Sequence, residues 1–85
     1  MRHYNELSLK MLQLIIEREI ISIEKTHDVW AVNIQTEADG GYDNGGHLCE
    51  VIVAHVVVNG EGADYELEWD VEEGEITTVT KSNRV

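Results

Sequence analysis

The stretch 47–58, HLCEVIVAHVVV, restricts the fold more than any other part of the chain. On a strand, successive side chains point to opposite faces, and here both alternating sets are apolar apart from Glu50 and His55. A strand of this kind has no wet side. It belongs in the middle of a sheet that is covered on both faces, by a helix on one and by another subunit on the other. The expectation is therefore a central strand over about 47–58 and a homodimer.

The flanking segments supply the rest of such a sheet. The segment 59–62, NGEG, signals a tight turn, and ADYELEWDV after it has the cleanest period of two in the chain. Over a strand of about 63–70, Tyr65, Leu67 and Trp69, with Val71 beyond, point inward, and Asp64, Glu66, Glu68 and Asp70 point outward. EEG turns into EITTVTKS, whose β-branched residues suit a strand at about 75–81. Upstream, VWAVNIQTE reads as a half-buried strand at about 29–37, with Trp30, Val32 and Ile34 inward and Ala31, Asn33 and Gln35 outward. Ile21 and Ile23 alternate with Ser22 and Glu24, which predicts a short strand at about 20–25, closed by the turn KTHD.

Before that strand, Leu9, Leu12, Ile16 and Ile20 recur at helical spacing, widened by Met11 and Ile15, and predict a helix over about 6–19. Asn5 is the candidate N-cap, with Ser8 as its rival and Glu6 favourably placed in the first turn. Arg18 suits the C-terminal end. The expected fold class is α+β: an N-terminal helix packed on a four- or five-stranded antiparallel meander. Its stripe would pack on Trp30, Val32, Ile34, Ile52, Leu67 and Trp69. The chain has 85 residues, so residues 1–85 form one domain. It has no Phe, so the two Trp and three Tyr must supply the bulk.

This layout resembles that of PepSY-type domains and of the gas vesicle accessory protein O family. The similar parts are HDVWAVNIQTE and YELEWDVEEGEIT, with Trp30, Tyr65, Glu66, Asp70, Gly74 and Ile76 as the counterparts of an aromatic-led strand and a later YEV-D-G-I-like hairpin. The resemblance implies a small α+β layer fold and a structural or assembly accessory role. It brings no catalytic motif.

The formal net charge is −11. It is segregated: from Ala38 onward only Lys81 and Arg84 oppose eleven acids, and no Lys or Arg lies between Lys25 and Lys81. Such polarity disfavours direct contact with nucleic acid or anionic lipid and favours a basic protein surface. No stretch approaches the ~20 apolar residues of a membrane span, and the N-terminal segment lacks the pattern of a signal peptide. The single cysteine, Cys49, suits a reducing compartment. The expected location is cytoplasmic.

The outward carboxylates are the candidate site: Asp64, Glu66, Glu68 and Asp70 on the strand, and Glu72, Glu73 and Glu75 around the turn. Residues two apart on one face are ~6.6–6.8 Å apart, about two phosphate steps of a nucleic-acid strand. The competing reading is a solvated face that prevents edge-to-edge pairing. A soluble face usually mixes signs, and this one does not. The expected function is a non-catalytic protein-binding domain acting on a basic partner. One version of it inhibits a nucleic-acid-binding protein by mimicry, as phage and mobile-element proteins do. The alternatives are an assembly accessory domain and a small metal-binding module.

The metal alternative rests on His47, Cys49 and His55, which share one strand parity. His55 lies ~20 Å beyond the other two, and four-ligand spacing is missing. Asp39, Asp43 and Glu50 fall at positions one, five and twelve of a calcium-loop pattern, but position six is Asn44 where glycine is required. No metal site and no cofactor is therefore expected. Cys49 sits in an apolar strand, a poor place for an activated thiolate, and no hydrolase or phosphate-loop motif occurs, so no enzymatic activity is expected.

Overall fold

The computed structural model describes residues 7–36, 42–44 and 46–82. Helix α1 (Leu9–Glu24) is followed by strands β1 (Val29–Thr36), β2 (Tyr42–Asn44), β3 (His47–Val58), β4 (Glu61–Asp70) and β5 (Glu75–Ser82). All pairings are antiparallel. The main sheet runs β1-β3-β4-β5, and the short β2 pairs with the start of β3. The expected α+β architecture, one helix on an antiparallel sheet, is the one observed.

The helix differs from expectation at both ends. It is capped by Ser8, whose Oγ accepts from the Met11 N–H at 3.1 Å. Asn5 lies outside the described residues. At the other end no strand forms over 20–25, because the helix continues to Glu24. Ile20 lies four residues after Ile16 and eight after Leu12, and all three are buried. Burying each such side chain contributes about 1.5–3 kcal/mol, which outweighs the modest helix aversion of β-branched residues. Arg18 thus sits inside the helix, and the last turn carries no basic residue. Lys25 ends it in a left-handed conformation (φ 58°), and its N–H donates to the Ile21 carbonyl.

The helix covers one face of the sheet. Beneath it lie Ala31, Ile52, Ala54, Val56, Tyr65, Leu67 and Trp69. The inward set of β4 is the expected one, with Trp69 only 1% exposed. On β1 the expected inward set is overturned: Trp30 is 66% and Val32 57% exposed, whereas Ala31 is 3% exposed. The cause is a β-bulge. Ala31 pairs with Val56 but Asn33 pairs with His55, so Val32 is an extra residue in β1. Upstream of the bulge, alternation turns Ala31 toward the helix and Trp30 away. Downstream, Ile34 returns to the covered side opposite Ala54. The same site is held from the helix: Gln13 donates to the Ala31 carbonyl at 2.9 Å, and the Ala31 N–H donates to a Glu17 carboxylate oxygen at 2.9 Å. A bulge and two side-chain clamps thereby blunt an edge strand at that point.

Turn chemistry fixes the two hairpins that carry the acidic strand. Asn59 (φ 51°) and Gly60 (φ 84°) both have positive φ and join Val58 to Glu61 in a two-residue turn. That tight join is why β4 starts at Glu61, two residues earlier than the spacing predicts. The Asn59 N–H donates to the Asp28 carbonyl, and Thr26 donates to the Asn59 side chain, so this turn is tied to the α1–β1 connection.

Candidate functional site

The face of the sheet away from α1 is read from the cross-strand register, since directly paired residues share a face. One row is Trp30, Val57 and Gly62. The next is Asn33, His55, Asp64 and Ser82. A third is Gln35, Val53, Glu66 and Thr80, and a fourth Val51, Glu68 and Thr78. Its end at the paired Cys49 and Asp70 is buried, and the face opens from Val51 toward Val57. It presents a stripe of half-buried valines on β3, broken by His55, with uncharged polar side chains and Trp30 on one flank and carboxylates on the other.

The acidic strand occupies the face as its alternation predicts, with one exception. Asp64 is half-buried, and its carboxylate lies 2.9 Å from Nδ1 of His55. Glu66 is exposed and Glu68 half-exposed. Their cross-strand neighbours are Val53 and Thr80, and Val51 and Thr78, so no cation faces them within the sheet. Lys81 pairs with Tyr65, on the helix-covered side by register, and at that end of the sheet it lines one cavity with His55, Gly62 and Asp64. The other described cations, Lys10, Arg18 and Lys25, are on α1 or at its cap.

Asp70 leaves the exposed row. It is 0% exposed, and its carboxylate accepts from the N–H groups of Glu72 (2.9 Å) and Glu73 (3.0 Å). The Gly74 N–H closes the same turn on the Asp70 carbonyl, with Gly74 at φ 70°. A carboxylate that caps two backbone amides in a turn is a structural element, so Asp70 is withdrawn from the candidate contact residues. Glu72, Glu73 and Glu75 are exposed around that turn.

Cys49 and His55 are not assembled, and the side chain of His47 lies outside the described residues. Cys49 is buried opposite Asp70, while His55 is engaged by Asp64 further along the strand. No group of three or more His, Cys, Asp or Glu side chains able to hold a metal occurs among the described residues. Most of the loop 38–46, and the calcium pattern with it, lies outside them. No helix among the described residues is long and apolar enough to cross a membrane.

Sequence reasoning placed Asp64, Glu66, Glu68 and the β3 valines on this face but turned Trp30 the wrong way. A bulge leaves no local mark in VWAVN. The one available signal was Ala31, the small residue that suits a position beneath a closely packed helix. His55 and Gly62 are linked in the same way: a Cβ on Gly62 would come within 3.1 Å of the imidazole Nε2, so the glycine makes room for the ring.

The fold and the face together define an α+β domain with one covered sheet face and one open acidic–apolar face. Compared with family models, curated proteins and solved structures, the chain matches none.

Proposed function

We propose that the protein is a non-catalytic binding domain that receives a basic protein surface on its open sheet face. The observation that carries this reading is the sign of that face. Asp64, Glu66 and Glu68 stand in one row on it, Glu72, Glu73 and Glu75 continue the charge around the turn, and no Lys or Arg among the described residues is in cross-strand register with Glu66 or Glu68. Carboxylates on a pure solubility surface would be interspersed with cations. Adjacent exposed apolar groups, Trp30 and the β3 valines, supply the dehydrating contact that an electrostatic encounter needs to become a stable complex. Inhibition of a nucleic-acid-binding protein by occupation of its basic groove is the specific form of this reading, supported by the spacing of the row, about two phosphate steps between carboxylates.

The test is charge reversal combined with salt. Glu66→Lys and Glu68→Lys leave Asp70 untouched, which matters because Asp70 holds the turn. Protein immobilised in source-cell lysate should retain a basic partner at about 50 mM salt and release it at about 500 mM, where screening shortens to a few ångströms. The reversed protein should retain none. Equal retention by the wild type and a folded double variant would remove the acidic face from function.

A further inference from the structure

The open face has a shape as well as a sign. Val51, Val53 and Val57 run along β3 for ~20 Å. A depression of about 320 Å³ lies over the middle of the face, lined by Asn33, Gln35, Val53, His55 and Asp64. Trp30, at 66% exposure, stands at one end of the stripe beside Val57. The charge lies on one flank only: β4 supplies Asp64, Glu66 and Glu68, whereas β1 supplies Asn33 and Gln35.

We infer that the occupant of this face is a basic amphipathic helix of the partner, laid along β3 with its cations on the β4 side. The inference rests on the proposed function and adds the form of the partner. A helix is the element that covers a sheet face, as α1 does on the opposite side with Leu12, Ile16 and Ile20. The ~20 Å of the stripe corresponds to ~13 helical residues at 1.5 Å rise, about four turns. An apolar side chain from the middle of the partner helix enters the depression over Val53, and another packs on Trp30. Lys or Arg on one flank meets Glu66 and Glu68. Cations on the other flank would meet only amides, so the charge asymmetry sets the helix direction. A second copy of the chain fits less well, because it offers the β4 carboxylates no cations: a two-fold axis across the strands would bring the two acidic rows together, and one along β3 would set each row against the uncharged β1 flank.

Three synthetic peptides of about 16 residues test this on the full chain, with Trp30 fluorescence as the readout; Trp69 is buried and serves as a constant background. The first carries a Leu stripe at helical spacing with Lys along one flank. The second has the same composition shuffled so that no stripe forms. The third keeps the stripe and replaces Lys by Glu. The first should shift Trp30 emission to the blue and bind at least about tenfold more tightly than the others at low salt. Trp30→Phe should abolish the optical signal, and Val53→Asp should abolish binding. If Val53→Asp does not fold, the near-isosteric Val53→Thr should weaken binding several-fold. Equal, salt-sensitive binding of the first and second peptides would overturn the helix and leave the basic-partner reading standing. Equal binding of the first and third would overturn both. Peptide-free self-association that itself shifts Trp30 emission to the blue would assign the face to a second copy and overturn the inference.

Discussion

At the scale of single residues, two buried polar groups on β4 have opposite fates. Asp70 has its carboxylate bonded to two turn amides, so removal leaves those donors unmet. Asp70→Ala should cost about 2–3 kcal/mol in urea denaturation, and Asp70→Asn, which keeps an acceptor, clearly less. Tyr65 is buried with its hydroxyl unpartnered among the described residues. Its pKa is raised above the ordinary 10.0, first by burial and then by the Glu24 carboxylate. A raised folded-state value means the contribution is intact below pH 10 and is lost as pH climbs beyond it. Tyr65→Phe should therefore leave neutral-pH stability unchanged or raise it by up to about 1 kcal/mol. It should also flatten the fall in melting temperature above pH 10. A large loss of stability at pH 7 would show that the hydroxyl has a partner.

At the scale of elements, the helix and β1 are decided jointly. The helix runs past its expected end because Ile20 completes the buried Leu12–Ile16–Ile20 stripe, and β1 turns over because the bulge at Val32 aligns Ala31 with that helix. The cost appears at the cap, where Lys25 adopts φ 58° with a Cβ that this region disfavours. Lys25→Gly should raise stability by about 0.5–1 kcal/mol, read as a shift in the urea midpoint at constant slope. A drop would mean that the lysine stem contributes packing worth more than the strain. Periodicity made α1, β3, β4 and β5 legible, since each has a face whose pattern agrees with its final environment. It failed for 20–25 because three isoleucines satisfy both helical and strand spacing over so short a stretch.

For the molecule as a whole, the net charge is −11, and most of it, eleven acids against Lys81 and Arg84, lies from Ala38 onward. Each like-charge pair costs a few tenths of a kcal/mol in water, and salt screens it. Melting temperature should consequently rise by about 2–6 °C between low salt and about 0.3 M NaCl. Glu66→Gln with Glu68→Gln should reproduce part of that gain without salt. A salt-independent melting curve would mean that the row is already neutralised. The same self-repulsion that this experiment relieves is what a basic partner would relieve on binding, which links the stability of the free domain to its proposed function.

The sequence alone determined the class of fold, the central place of β3, a tight turn within 59–62, and the outward direction of Glu66 and Glu68. Those features follow from local chemistry: a period of two or of 3.6, and a backbone that must reach positive φ. Tertiary structure decided which side of β1 faces water, how far α1 extends, that a three-residue β2 pairs with β3, and that Asp70 serves a turn instead of a surface. Each of these depends on where a neighbouring element places its pairing groups and its apolar stripe. A single extra residue against β3 reverses Trp30 and Val32 while leaving the local pattern unchanged.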